Sequence, residues 1–267
     1  MYQEKFALNE KVIVLTGANG ILGRHQTLAL LEMGAKVCML DVNDDGIIDF
    51  IGGMDEKLLG NVSFHKLDIV NENEIIDFFN FLDGQTIQPN VLINNAATKS
   101  ENFFEPLENY NLEDWNQVMN VNLTGMFLVS KHILKRMVVK KEGVIINFSS
   151  IYGINGPDSR IYEGSFYMGR EINTPPVYSA SKAGAVGLTK YIATVYGGRN
   201  IRCNSITPGG IFSGQNPVFV EKYSARVPLG KMGDPEDIAC AVAFLCSEAA
   251  KYINGMNLIV DGGLSAW

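Results

Sequence analysis

The chain has 267 residues, 46% of them hydrophobic and 19% charged, with a formal net charge of −7. That composition supplies a substantial core and excludes a disordered or coiled-coil chain. The acidic balance, with a pI of about 5.1 and no basic run longer than Lys140-Lys141, argues against binding to the phosphate backbone of a nucleic acid.

Residues 1–10 are polar and lack the apolar core of a signal peptide. No stretch of about 18 apolar residues suggests a membrane span. The four cysteines, Cys38, Cys203, Cys240 and Cys246, form no C-x-x-C pair and sit in apolar or helical context. They read as buried free thiols of a cytoplasmic protein. His25, His65 and His132 are isolated, so no metal site is expected.

Apolar runs at 12–16, 36–41, 62–67, 91–94, 143–148, 201–206 and 257–260 read as strands. Most are continuous rather than alternating, which suits a parallel sheet buried on both faces. Between them, helical segments are expected near 21–34, 72–82, 113–139, 178–197 and 234–248, with a further helix starting near Asp44. The last long helix has good entry chemistry: Asp234 can cap it, Pro235 suits its first turn, and Glu236 and Asp237 suit the positive end of its dipole. The alternation predicts one doubly wound α/β domain over 1–267. Residues 151–177 break the rhythm with a Gly-, Pro- and Tyr-rich insertion, which suggests a lid or binding loop.

The turn after the first strand, "TGANGILG", places glycines at 17, 20 and 23. A glycine turn that opens a helix presents free N–H groups and a positive dipole to a pyrophosphate. Asn19-Gly20 suits positive φ, so the tight turn is expected there and the helix from Ile21. Taken alone the pattern also fits a plain strand–helix turn. The second strand ends in Asp41, where an acid binds the ribose hydroxyls of NAD and repels the 2′-phosphate of NADP. Its alternative is a loop carboxylate or cap. Arg24 is expected to face away or touch a phosphate.

"YSASK" places Tyr178 and Lys182 four residues apart, on one helix face. A nearby ammonium favours a phenolate, so Lys182 is expected to lower the Tyr178 pKa and let it shuttle a proton near neutral pH. Ser149 and Ser150 follow the strand 143–148, at the carboxyl edge where ligands of open sheets bind.

The ordered set of motifs resembles the short-chain dehydrogenase/reductase family across nearly the whole chain. It comprises the glycine loop, "KLDI" at 66–69, "NNAA" at 94–97, "NVNLTG" at 120–125, "INFSS" at 146–150, "YSASKAG" at 178–184, "ITPGGIFS" at 206–213, "VPLGKMGDPEDIA" at 227–239 and "NGMNLIVDGG" at 254–263. The resemblance implies a Rossmann domain with a seven-stranded parallel sheet flanked by helices on both faces. It makes Tyr178 the acid/base and has Lys182 hold the nicotinamide ribose. Ser150 would bond the substrate oxygen, and Asn122 would hold a water that connects to Lys182. Ser150 could otherwise cap a turn, and Asn122 satisfy a helix kink. Gly17, Asn19, Gly20, Ile21, Leu22 and Gly23 would line the pyrophosphate. Asp68 and Ile69 would contact adenine, and Asn95 and Ala96 would line the cofactor cleft. Pro208, Gly209, Ile211 and Ser213 would meet the nicotinamide, Ser213 standing where the family usually has Thr.

Two departures stand out. Ile21 occupies the family's middle glycine position, and G-x-x-G-x-x-G is similar to the extended branch with its epimerases and dehydratases. The residue before that position is Gly20 rather than a base, which again favours NAD over NADP. The insertion is longer than in most relatives. Its Tyr152, Asn155, Asp158, Arg160, Tyr162, Tyr167 and Arg170 suit a hydroxyl-rich or anionic ligand, or a subunit contact. The expected function is an NAD(H)-dependent oxidoreductase acting on a small polar substrate, a sugar or sugar derivative, with Ser150, Tyr152, Arg160 and Arg170 toward it. The chain also resembles family members of bacterial flagellin and surface-sugar pathways. The rival readings are an NAD-retaining epimerase or dehydratase and a non-catalytic NAD-binding protein. The resemblance further implies a homotetramer or homodimer.

Overall fold

The computed structural model describes every residue except Met168, and every other side chain except those of Tyr167 and Arg170. Arg170, one of the expected substrate residues, therefore lies outside the described side chains. The strands are β1 (Val12–Thr16), β2 (Lys36–Asp41), β3 (Val62–Lys66), β4 (Val91–Asn94), β5 (Gly143–Phe148), β6 (Phe166–Tyr167), β7 (Arg170–Glu171), β8 (Ile201–Pro208) and β9 (Asn257–Val260). Seven of them form one sheet in the order β3-β2-β1-β4-β5-β8-β9, and every pairing in it is parallel. The expected doubly wound sheet is the fold. Its strand order reverses between β1 and β4, which opens a crevice at the carboxyl ends of those strands.

The helices are α1 (Ile21–Glu32), α2 (Ile47–Gly52), α3 (Glu56–Leu59), α4 (Glu72–Gly84), α5 (Leu112–Met119), α6 (Met126–Lys140), α7 (Pro176–Tyr196), α8 (Pro217–Ser224) and α9 (Pro235–Cys246). They cover both faces. Ile13, Leu15, Val37 and Met39 meet Leu30 and Leu31 of α1 and Ile238 and Val242 of α9. Their alternates Val14, Cys38 and Leu40 share the opposite cluster with Phe79 of α4, Ile133 of α6 and Ile192 of α7. Burial on both faces explains why the strands read as continuous apolar runs.

Helix entry follows the local chemistry. Asp234 and Asp237 form a capping box at α9, with Pro235 in its first turn. Asn71 caps α4, and Asn111 caps α5. The helix expected over 113–139 is instead α5 and α6 joined by a π-helical turn at Asn120–Gly125. The helix expected near Asp44 begins at Ile47, and both α3 and α8 lie outside the expected elements. Three of the cysteines are buried as expected, whereas Cys240 is exposed on α9.

The insertion is ordered by its own packing. It carries two short 3₁₀ turns, Ile151–Gly153 packed on α7 and Ser159–Ile161 packed on α8, and the β6–β7 ladder. Ile161 and Tyr162 share a small apolar cluster with Tyr223, Val227 and Met232. Among the described residues, no helix is long and apolar enough to cross a membrane.

A buried polar chain ties the sheet to two helices. Asn94 Nδ2 donates to Ser130 Oγ at 2.9 Å and to Asn147 Oδ1 at 2.8 Å. Asn147 Nδ2 donates to Thr189 Oγ1 at 2.9 Å. Removing Asn147 takes one buried partner from each of Asn94 and Thr189, so Asn147→Ala should lower the unfolding free energy by about 2 kcal/mol. Urea denaturation checks this, and an unchanged midpoint would count against the network.

Candidate active site

At the carboxyl end of the sheet lies a cleft of about 490 Å³, lined by Gly17, Asn19, Gly20, Ile21, Leu22, Asp41, Asp68, Ile69, Asn95 and Ala96 among others. The structure thus brings together the expected residues of the glycine loop, both acids and the "NNAA" segment. The exception is Gly23, which packs beneath the loop. A Cβ there would lie 2.3 Å from the carbonyl oxygen of Gly17.

The positive φ expected at Asn19-Gly20 falls earlier, at Gly17. The residue with positive φ is Gly17, at 63°, while Gly20 is the extended N-cap of α1 with φ of −71°. A Cβ on Gly17 would come within 2.6 Å of Ala96 Cα, so loop and "NNAA" segment touch backbone to backbone. Gly20 has only the Gly17 oxygen, at 3.4 Å, near its missing Cβ. Ile21 opens α1 as expected, with its side chain 55% exposed on the cleft wall. The first intrahelical bond runs from Arg24 N to Gly20 O. The preceding amides of Ile21, Leu22 and Gly23 are therefore available to an anion.

Asp41 ends β2 on the cleft wall. Its Oδ2 accepts from Asn19 N at 2.9 Å and its Oδ1 from Asn43 N at 3.0 Å. The carboxylate thus braces the glycine loop and still has lone pairs for two hydroxyls. Arg24 neither faces away nor stands free for a phosphate. Its guanidinium donates to Asn19 Oδ1 at 2.7 Å and to Asp45 O at 3.2 Å, and lies 5.0 Å from the Phe50 ring centroid. Asn95 is fixed from three sides. Its Nδ2 donates to Gly17 O and Thr16 O, and its Oδ1 accepts from buried Gln26. Thr16 and Gln26 were missed because they reach the cleft only through the "NNAA" segment, Thr16 by Asn95 and Ala96 and Gln26 by Asn95.

Tyr178, Ser150 and Lys182 converge beside this cleft. Ser150 follows β5 and hydrogen-bonds the Tyr178 hydroxyl. Ser149 points the other way, donating to Lys182 O at 2.9 Å, and so docks α7 on the strand end. Lys182 is only 3% exposed, and its ammonium donates to Phe148 O at 3.0 Å. Burial pulls the Lys182 pKa down to about 8. The same burial pushes the Tyr178 hydroxyl above its usual range, while the Ser150 hydrogen bond pulls it down. The expected lowering of Tyr178 by Lys182 is therefore overturned here. The ammonium lies under the ring, 5.8 Å from its centroid, and is held by a carbonyl rather than by the phenol oxygen.

Asn122 is buried on the π-turn. Its Oδ1 accepts from Thr98 N at 2.9 Å and its Nδ2 donates to Ser181 Oγ at 3.3 Å. It braces the segment after "NNAA" against α7, and makes no direct bond to Lys182 among the described contacts.

A second cavity of about 340 Å³ shares Ala97 and Thr98 with the cleft and has Tyr178 in its wall. Tyr152 lines it as expected. Arg160 does not: its guanidinium forks onto Asp158 at 2.8 Å, with the side chain 81% exposed. Asp158 also pairs with Arg226 at 3.2 Å. The walls are mostly apolar, built from Phe103, Phe104, Tyr152, Tyr162, Ile172 and Pro175, with polar groups from Thr98, Lys99, Asn173 and Thr174. The expected lining by Asp158 and Arg160 is thus corrected, since these two side chains pair with each other instead. Phe103-Phe104, adjacent aromatics in a polar stretch, was the signal passed over.

Pro208, Gly209 and Ser213 line neither cavity. Gly209 N donates to Val260 O, and Ile211 bridges to Gly233. These bonds turn the segment toward β9, where Ile211 lines a separate cavity of about 270 Å³.

The glycine cradle, the acid at the end of β2 and the free amides of α1 fit a dinucleotide, in a cleft of ligand size. Comparison with known proteins agrees with that geometry. Residues 17–265 match the family model described as "Enoyl-(Acyl carrier protein) reductase". The chain is 32% identical to the 3-oxoacyl-(acyl-carrier-protein) reductase of Thermotoga maritima over 96% of its length and 98% of the relative's. It superposes with a TM-score of 0.86 and 35% identity on a short chain dehydrogenase from Leptospira borgpetersenii solved with bound NAD+, covering 99% of this chain and 96% of that one. A putative 2-deoxy-D-gluconate 3-dehydrogenase from Agrobacterium tumefaciens with bound NADP gives a TM-score of 0.82 at 30% identity, covering 98% and 99%. The chain belongs to the short-chain dehydrogenase/reductase family, whose members here are oxidoreductases of alcohols and ketones.

Proposed function

We propose that this protein is an NAD(H)-dependent oxidoreductase that interconverts a secondary alcohol and a ketone on a small polar substrate, a sugar or sugar derivative. The observation that carries the reading is the position of Tyr178. Its hydroxyl is bonded by Ser150, a buried ammonium lies under its ring, and it faces a cavity that opens onto the glycine-loop cleft.

NAD is favoured over NADP by charge. Asp41 places a carboxylate on the wall where the adenosine ribose would lie, and repels a 2′-phosphate there. Arg24, the cation nearest in sequence to the loop, is already used by Asn19, Asp45 and Phe50. The neighbours bind either dinucleotide, so the support comes from these residues of the chain itself. A sugar-like substrate is supported by the hydroxyls of Thr98, Tyr152, Tyr162 and Thr174 among rings that suit the apolar face of a polyol carbon chain. The gluconate-type neighbour points the same way.

Bound in the cleft, the nicotinamide supplies the hydride chemistry. The protein handles the proton. With its pKa raised by burial, Tyr178 rests protonated at neutral pH and can donate to a ketone oxygen. In the reverse direction it must first lose that proton. Ser150 eases the loss by donating to the phenolate.

Tyr178→Phe keeps the ring and removes the only proton that the scheme moves. Net NADH formation with a panel of sugars and sugar acids should fall at least about 1,000-fold in this variant. NADH binding, read by fluorescence titration, should stay close to wild type. Retained turnover would sink the role of Tyr178, and tighter binding of NADP than NAD would sink that of Asp41.

The pH dependence follows from the same shifts. Alcohol oxidation needs ionised Tyr178, whose pKa is raised, so the oxidation rate should climb through the alkaline range. Ser150→Ala removes the contact that lowers this pKa, and should move the rising limb to higher pH as well as slowing the reaction. A limb displaced to lower pH would contradict the assignment.

A further inference from the structure

The Asp41 carboxylate is held at both oxygens by one clasp. Its Oδ2 accepts from Asn19 N at 2.9 Å, and its Oδ1 from Asn43 N at 3.0 Å. The same two residues are joined a second time, because Asn19 Nδ2 donates to Asn43 O at 3.0 Å and to Asp45 O at 3.1 Å. A ring of hydrogen bonds therefore runs from Asp41 through Asn19 and Asn43 and back to Asp41. Arg24 secures it from behind. Its Nε donates to Asn19 O at 3.1 Å and to Asn19 Oδ1 at 3.0 Å. Its Nη2 donates to the same Oδ1 at 2.7 Å and to Asp45 O at 3.2 Å. The bonds on Oδ1 fix which way the Asn19 amide faces, so that Nδ2 reaches the carbonyls of the loop after β2. Arg24 itself rests against Phe50 of α2, 5.0 Å from the ring centroid, and lies outside the lining of the cleft.

We propose that Arg24 is a positioning residue for dinucleotide choice. Acting through Asn19, it fixes the Asp41 carboxylate on the cleft wall, and the preference for NADH over NADPH depends on that fixation as well as on the charge. The inference rests on the reading of Asp41 given above and adds what makes the acid effective. A carboxylate free to rotate turns its charge toward water, where it repels a 2′-phosphate less. It also offers the ribose hydroxyls no oriented acceptor until it is ordered again. Arg24 suits the task because its planar fork bonds the main-chain and side-chain oxygens of one residue together, which an ammonium does not match. The sign of the effect is opposite to that of charge alone. By Coulomb's law, removing a cation near the cleft disfavours a 2′-phosphate and strengthens the preference for NADH. Removing the clasp weakens that preference.

Fluorescence titration of NADH and NADPH, without substrate, reads both dissociation constants in wild type, Arg24→Met and Arg24→Lys. In Arg24→Met the Kd for NADH should rise about tenfold, as expected when an oriented hydrogen bond to a charged group is lost. NADPH should bind no more weakly than in wild type, so the ratio of the NADPH Kd to the NADH Kd falls. Arg24→Lys keeps the charge and loses the fork, and the ratio should fall there too. This variant carries the test if Arg24→Met does not fold. A ratio that holds or rises in either folded variant would overturn the inference. Equal weakening of both dinucleotides leaves the ratio unchanged, and would mark Arg24 as part of the scaffold alone. Asp41→Asn separates the inference from the reading beneath it. A preference for NADH that is lost in Asp41→Asn but kept in the Arg24 variants overturns the inference alone. A wild type that binds NADPH more tightly than NADH, or an Asp41→Asn variant with the wild-type ratio, removes the reading of Asp41 and this inference with it.

Discussion

The site is organised around one buried cation. Lys182 lies in the core at the end of β5, with its ammonium on the Phe148 carbonyl and its own carbonyl held by Ser149. Burying an ammonium costs free energy, and the pKa lowered to about 8 measures that cost. The fold tolerates it because β5 and α7 approach closely. A Cβ on Gly153 would lie 2.6 Å from Ser149 Oγ and 2.7 Å from the Lys182 carbonyl carbon. One on Gly184 would lie 2.7 Å from the Leu123 side chain. With α7 seated so tightly, Tyr178 is carried one turn earlier to the cavity wall and Ser150 meets its hydroxyl. The charge under the ring and the hydrogen bond at its oxygen come from two elements fixed by the same contact.

The other half of the site is built by backbone. Gly17 takes the left-handed turn, the "NNAA" segment packs against it, and Asn95 ties the two together through Thr16 and Gln26. Asp41 and Arg24 then brace the loop from the β2 side. The cleft depends on these few small or amide residues, which hold one another and are tied to the core through Thr16 and Gln26. Over the top, the insertion and α8 form a unit with its own apolar cluster. Substrate selection can therefore vary there without disturbing the sheet.

Much of this was legible in the sequence. The strands could be read because burial on both faces writes continuous apolar runs, and α9 because Asp234, Pro235 and Asp237 carry its entry chemistry. Ser150, Tyr178 and Lys182 were legible because the helical repeat and the strand end place them together. What was not legible depends on contacts distant in the chain. The π-turn at Asn122 exists because Thr98 and Ser181 engage the side chain. A Cβ on Gly125 would also meet Ile69 at 2.7 Å. The residues of α8 are stabilised chiefly by the insertion, whose path no local pattern gives. Arg160 was misplaced because composition cannot show that Asp158 sits beside it as a partner. The direction of the Tyr178 shift was misread because spacing gives the neighbour's charge but not the depth of burial.

The account requires that the Lys182 ammonium is held folded at a cost, and comparing the stability of wild type with Lys182→Met across pH tests this most directly. The unfolded chain keeps the proton on this lysine to about 10.5, whereas the folded chain releases it near 8. Between these values the unfolded state binds more protons, so this lysine's contribution to wild-type stability rises with pH. Urea denaturation should find Lys182→Met more stable than wild type at neutral pH, with the gap narrowing as the pH rises from about 8 toward 10.5. A gap that stays constant over that range, or a wild type more stable than the variant at neutral pH, would contradict it.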